Sequence, residues 1–224
     1  RVGLVAVAGQ PKTSRMKVLA ACIAQARPIA AKSGMTGHFK AAQPAVTVGH
    51  MGLDGDTIVD RANHGGPDQA VYIFTQTDRL WWADHLGRDL PAGFFGENLL
   101  IDGLASADLA LGDLLVIGDV TLQVTAPRIP CITFAARIGD PQGVKMFHKA
   151  ARPGAYARVL HGGDVTPLDV VKHIEYDGER IGIVENFAQY LAGFPDHTFL
   201  EALLRVPAHH KALAMAAQRL GHPP

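Results

Sequence analysis

Apolar residues recur at every second position over Val120-Thr121-Leu122-Gln123-Val124-Thr125, which predicts a strand with Val120, Leu122 and Val124 facing a core and the other three facing away. Leu114-Leu115-Val116-Ile117 precedes it across Gly118-Asp119, a dipeptide that tolerates the positive φ angles of a tight hairpin turn. The second strand should stop at Pro127. Pro127 and Pro130 flank Arg128 and Ile129, fix φ and remove amide donors, so they predict that Cys131 projects from an ordered, non-helical loop at a sheet rim. Further strands are predicted over Lys17 to Ala31 (long or broken), Val46 to Val48, Ala70 to Phe74, Leu99 to Ile101, Ala155 to Leu160 and Leu168 to Ile174.

Helical signals are fewer until the end of the chain. Thr75 and Asp78 resemble a cap for a helix that carries Trp82 and Leu86 on one face and ends at Gly87 and Pro91. Asp140-Pro141 predicts the opening of a helix through Val144, Phe147 and Ala151. Beyond Asp177 the texture is alanine-rich and helical. Ile183 to Leu191 forms one segment, Thr198 with Glu201 caps a second that ends at Pro207, and Lys211 to Leu220 forms a third. The fold class is therefore mainly β with helical additions, divided into an N-terminal extension over residues 1–15, a β domain over 16–177 and a three-helix module over 178–224. Val2 to Ala8 is apolar but too short to span a bilayer, so residues 1–15 are read as an extension with Met16 as a native start, the alternative being a cleaved secretory signal.

Composition narrows the function classes. The chain has 224 residues, 21 basic and 21 acidic, so no global charge favours nucleic acid or an anionic membrane. From Ile183 onward three basic residues balance three acidic ones, which argues against a helix-turn-helix DNA reader. Two cysteines far apart make no disulfide framework, and a cytoplasmic, reducing setting is expected.

Candidate chemistry gathers in three places. Cys131 has Arg128 three residues away, a fixed positive charge that favours thiolate, whereas Cys22 sits in an apolar run and is read as packing. Asp60, Arg61, His64, Gly65 and Gly66 lie in the densest cluster of glycine, acid and histidine. The amides of Gly65 and Gly66 can form an anion-binding concavity, and Asp60 can orient the His64 imidazole; the alternative is a connection whose acids cap turns. Asp60, His64 and Cys131 are a conceivable but unmotivated zinc set, and the acidic spacing does not fit an EF-hand. Glu97 and Asn98 form a polar pair between apolar residues, suited either to a heterocycle edge or to a buried turn.

Six motifs in order carry a resemblance to the MOSC domain (molybdenum cofactor sulfurase C-terminal domain), especially its free-standing members with a C-terminal three-helix module. They are Thr36-Gly37 with Lys40, Gly52-Leu53 with Gly55-Asp56, Asp60 with His64 to Asp68, Phe95 to Leu99, Leu111-Gly112-Asp113, and Pro127-Arg128 with Pro130-Cys131. Gln69, Ala42 and Ala126 depart from residues common in relatives. The resemblance implies a MOSC-type β-barrel that binds the molybdenum cofactor, a molybdopterin-type pterin, with Cys131 as metal ligand. It implies Lys40, Arg61, His64, Gly65, Gly66, Glu97, Asn98 and Arg128 as cofactor-binding residues and Cys131, His64 and Asp60 as catalytic ones. The activity implied is reduction of small N-hydroxylated compounds such as hydroxylaminopurines. No iron–sulfur spacing or dinucleotide fingerprint is present, so a separate electron-donating reductase is the expected partner, and a homodimer is allowed. Sulfur transfer through a Cys131 persulfide, or simple cofactor carriage, is the alternative. A cysteine hydrolase using Cys131 and His64 is the weakest reading.

Overall fold

The computed structural model describes residues 15–31, 34–61, 64–194 and 196–221. The expected N-terminal extension lies, apart from Arg15, outside the described residues. The first strand, β1 (Lys17–Ile23), is followed by the short strands β2 (Arg27–Pro28), β3 (Met35–Thr36), β4 (Ala41–Gln43), β5 (Val46–Gly49) and β6 (Gly52–Leu53). Next come β7 (Val71–Thr75), helix α1 (Gln76–Leu86), β8 (Leu99–Asp102), β9 (Leu114–Ile117) and β10 (Val120–Pro127). Helices α2 (Ile132–Ile138) and α3 (Gly143–Ala150) then precede β11 (Ala155–His161), β12 (Gly163–Val165) and β13 (Val171–Ile174). Helices α4 (Ile183–Leu191), α5 (His197–Leu203) and α6 (His210–Arg219) complete the chain.

Eight strands form one sheet in the order β13-β9-β10-β11-β7-β8-β1-β4, with edges at β13 and β4. The pairs are antiparallel except β7 with β8, which run parallel across the α1 connection. A bridge from Lys17 to Val170 and the Val18 to Asp169 amide bond bring the start of β1 against the run into β13. The fold is thus sheet-rich with several helices, and ring closure is not part of its hydrogen-bonded strand order.

The predicted hairpin is present, with Ile117 opposite Val120 and with Val120, Leu122 and Val124 fully buried. Thr125 departs from the expected alternation because two neighbouring segments use its hydroxyl. Its side chain is also buried and donates to the carbonyls of Asp68 at 2.6 Å and Tyr156 at 3.1 Å. The predicted long strand near the N-terminus is β1 alone plus two-residue β2. Thr75 does cap α1, accepting from the Asp78 amide, and Gly87 ends it with φ of 62°.

Two main apolar clusters organise the chain. One joins the sheet to the C-terminal helices, for Phe199, Leu200, Leu203 and Ala216 share a core with Val18, Ile73, Leu115 and Val124. The other is aromatic and lies behind α1, α2 and α3, where Phe74, Trp82, Phe95, Phe134 and Phe147 pack ring on ring.

Candidate functional site

The loop of residues 128–131 is non-helical, as expected, and Cys131 ends it in an extended conformation. Cys131 is the N-cap residue of α2, and the helix starts at the next residue. Ile132, Thr133 and Phe134 are poor helix formers, yet Phe134 and Ile138, four residues apart, bury one face in the aromatic cluster. Burial by itself pushes the Cys131 thiol up, but the His64 side chain, the Arg128 guanidinium, the Phe134 backbone N–H and the Thr133 side chain outweigh it. Together they hold the thiol at about 6, so Cys131 is mostly thiolate at neutral pH.

Arg128 is buried and locked by the aromatic cluster. One guanidinium nitrogen donates to the Phe95 carbonyl, another to His38 Nε2 at 2.6 Å, and the group stacks over Tyr72 and Phe134. Since arginine only donates, His38 Nε2 accepts, and the neutral ring carries its proton on Nδ1. Burial and then the Arg128 charge keep the His38 pKa well below its usual value. Its Nδ1 is buried without a hydrogen-bond partner among the described residues. Gly96 must be glycine for this packing, because a Cβ there would stand 3.1 Å from the His38 ring and its φ is 77°.

A cavity of about 1030 Å³ opens in front of Cys131. Lys40, Asp60, His64, Gly65, Asn98, Arg128 and Cys131 all line it, as do His38, Tyr72 and Tyr156. The predicted contacts are therefore largely brought together, but several are already engaged. The Lys40 ammonium pairs with Asp56, and burial pushes its pKa down against that ion pair. Asn98 donates to Asp56 Oδ2 at 2.9 Å and accepts from the Tyr72 amide at 3.1 Å, so it serves the turn. Glu97 is fully buried and turned away from the cavity, its oxygens accepting from the amides of Gly93 at 2.6 Å and Phe95 at 3.0 Å. Arg61 is exposed and does not line the cavity. Gly66 caps the short turn of Pro67 to Gln69, and its neighbour Gly65 holds φ of 79° against Ile58. Asp60 and His64 meet through the backbone, the His64 amide donating to the Asp60 carbonyl at 3.0 Å.

The opposite wall had no signal in the sequence. Asn186 and Tyr190 of α4, Phe194 just beyond it, and His209, Lys211, Ala212 and Met215 at α6 line the same cavity. A clasp fixes this wall to the sheet. Asp68 Oδ2 accepts from His210 N and Nδ1, each at 2.8 Å, while its Oδ1 pairs with Arg158 at 2.9 Å. The ligand atoms of Asp68, His209 and His210 lie within 4.8 Å of one another, a spacing that suits a metal ion. Arg158 supplies the positive charge there, and His209 Nδ1 accepts from the Lys211 amide at 3.0 Å. The cluster is satisfied as a structural joint.

The cofactor implied by the resemblance fits what is present. A soft thiolate faces the cavity, and the His64 side chain and the Arg128 charge beside it favour the anionic sulfur that a metal ligand needs. Typical ligand pockets measure roughly 300–1,000 Å³, so this one has room for an organic cofactor.

Comparison with known proteins agrees with the architecture. Residues 60–172 match the MOSC domain profile. The uncharacterized protein YflK of Bacillus subtilis (strain 168) is 33% identical over 168 residues, 74% of this chain and 73% of its own length. YiiM of Escherichia coli (strain K12) is 30% identical over 134 residues, 55% of this chain and 58% of its own. A protein named reductase from Gibberella moniliformis is 30% identical over 118 residues, 51% of this chain and 21% of its own. The crystal structure of YiiM from Geobacillus stearothermophilus superposes with a TM-score of 0.76 at 24% identity, covering 92% of this chain and 99% of that one. No helix among the described residues is long and apolar enough to cross a membrane.

Proposed function

Because this chain belongs to the MOSC domain family, we propose that it is a molybdenum-cofactor-binding reductase of N-hydroxylated compounds. The observation that carries the reading is the Cys131 thiolate, held at about 6 at the wall of a cavity large enough for a pterin and a substrate. The kinship to a protein named reductase supports it. When bound, the molybdenum cofactor supplies a centre that accepts an oxygen atom and cycles by two electrons. The overall step balances as R–NH–OH plus two electrons and two protons giving R–NH2 and water. The electrons come from a separate reductase protein.

The residues of this chain bind, orient and shield. Cys131 offers its sulfur to the metal, and Arg128 keeps that sulfur anionic. His64 donates toward Cys131, and Asp60 fixes the backbone on which His64 stands. The Gly65 backbone at the cavity wall is a candidate contact for polar atoms of the pterin and its phosphate. With Lys40 paired to Asp56, its role is to hold Asn98 and the sheet edge behind the cavity.

The test is the molybdenum and pterin content of the protein and of Cys131→Ser, both purified from a host that makes the cofactor. Near-stoichiometric metal in the wild type, lost in the variant, is expected. Neither metal nor pterin in either protein would sink the reading. The same low thiol pKa favours a second reading, sulfur carriage as a Cys131 persulfide. Intact-mass measurement of untreated protein would then show one extra sulfur, which peptide mapping would place on the peptide that contains Cys131.

A further inference from the structure

The helix-side wall of the cavity holds a polar group that the fold itself does not use. Asn186 lies inside α4 and is 3% exposed, although asparagine is a weak helix former and is seldom buried. Its backbone amide continues the helix by donating to the Gly182 carbonyl at 2.9 Å. Its side-chain carboxamide has no hydrogen-bond partner among the described residues and stands at the cavity wall. Buried carboxamides are as a rule paired, so this one points to a partner outside the chain.

The placement of Asn186 is fixed from several sides. Ile183 is fully buried in the core shared with the sheet, and Phe187, one turn on, packs edge to face on Phe147 with ring centroids 6.1 Å apart. The Ile183 amide donates to the Leu109 carbonyl at 2.8 Å and the Leu111 amide to the Ile181 carbonyl at 2.9 Å, which ties the start of α4 to the run ahead of β9. Asn186, Tyr190 and Phe194 recur every four residues and all line the cavity, so they make one stripe along α4 and just beyond it. Tyr190 is 47% exposed at the opening, which leaves Asn186 at the closed end of the stripe. A carboxamide held on a fixed helix loses little freedom when a ligand meets it.

We propose that Asn186 binds the pyrimidine edge of the pterin, its carboxamide donating to the ring C4 carbonyl and accepting from the neighbouring N3–H. An asparagine side chain carries a donor and an acceptor side by side in one plane, which matches a cyclic amide as it matches the donor–acceptor edge of a nucleobase. The sheet-side wall then addresses the sulfur end of the cofactor through Cys131, and α4 addresses its other end. The C-terminal helices are therefore part of the cofactor site. The inference rests on the cofactor reading of the cavity.

The test compares the full-length wild type with Asn186→Ala, which opens room, and Asn186→Asp, which keeps the shape and loses the donor. Each protein is purified from a host that makes the cofactor and dialysed, and released pterin is followed by its fluorescence after oxidation. Both variants should release pterin about 5- to 100-fold faster than wild type, the range expected when one partner of a buried hydrogen-bonded pair is removed. Cofactor-free protein is titrated with pterin and with 3-methylpterin, which cannot donate from N3. Wild type should prefer pterin by a similar factor, and Asn186→Ala should lose most of that preference. Variants that release pterin at the wild-type rate and keep its preference would overturn the contact. So would variants that hold the cofactor as wild type does but show a raised KM for an N-hydroxy substrate, since the amide would then serve the substrate. Wild type that carries no cofactor yet prefers pterin through Asn186 would overturn the cofactor reading and leave the contact standing. Wild type that carries no cofactor and binds neither probe would overturn both.

Discussion

Cys22 is buried and Cys131 half-buried, and their thiols are displaced in opposite directions. In β1, burial pushes the Cys22 thiol up to about 12, and the nearby Glu97 carboxyl adds to the rise. At the start of α2 the same penalty operates on Cys131, but His64, Arg128, the Phe134 amide and Thr133 bring the thiol down to about 6. The lesson is that burial sets no reactivity by itself; the donors aimed at the sulfur decide it. Cys22 is held among Ala20 and Leu100 in a small apolar cluster and contributes packing.

The largest way to break that contrast is to exchange each sulfur for oxygen or carbon. Cys131→Ser should lose the proposed N-hydroxy reduction by at least about 100-fold, beyond the roughly 10- to 100-fold cost of removing an outer-shell partner. Cys22→Ala should keep metal content and turnover, and equal losses in the two variants would dissolve the distinction. Next in size is alkylation. At pH 7 iodoacetamide should modify Cys131 in the native protein at least about 100-fold faster than Cys22, because thiolate fraction outweighs the lower intrinsic nucleophilicity of a low-pKa sulfur. Peptide mass spectrometry over a pH series should give a midpoint near 6 for Cys131. A midpoint at the ordinary thiol value would remove the thiolate from the site.

A smaller effect sharpens the cause. His64→Ala should move the Cys131 midpoint upward, and a midpoint of about 7 would slow alkylation at pH 6 about fivefold through the smaller thiolate fraction. An unchanged profile would assign the low value to Arg128, Phe134 and Thr133 alone. The smallest effect concerns Glu97, which desolvation raises to about 7 despite its backbone hydrogen bonds. A folded pKa above the unfolded one means that the native state binds the extra proton. Stability from this group is therefore full below about 4.5, where the free carboxyl titrates, and is lost as pH rises toward 7. Glu97→Gln should flatten denaturant midpoints across that window, and an unaltered slope would exclude Glu97 as its source.

Local signals were the legible ones. The Gly118-Asp119 hairpin, the Thr75 cap and the alanine-rich C-terminal helices each follow from a few neighbouring residues, and all three are present. Cys131, Arg128, His64 and Asp60 were legible because charge and glycine patterns mark them, and they meet at one cavity. Helix α2 was hidden because Pro130 and three weak helix formers conceal it, and only the burial of Phe134 and Ile138 makes it favourable. His38 and Thr133 gave no sign, since their importance depends on Arg128 and Cys131 being brought beside them by the fold. Glu97 and Asn98 sat beside the site in the sequence, yet backbone amides and Asp56 take up their polar atoms. The helix-side wall was invisible for the same reason as α2: Tyr190 and Met215 read as ordinary amphipathic helix until the Asp68 clasp places that wall opposite the thiolate.

The place of β1 in the sheet has a consequence for how the chain is made. β1 pairs with nearby β4 along one edge, but its other edge pairs with β8 and its start touches the segment entering β13, so some of its partners leave the ribosome much later. Val18 must wait for Ile101 and Asp169 while much of the protein is synthesised. Such non-local pairing slows folding, because loop-closure entropy is lost before the strand contacts offset it. Nascent chains of this protein therefore carry one edge of β1 unpaired until β8 and the run into β13 are made, and the C-terminal half is what finally closes over it.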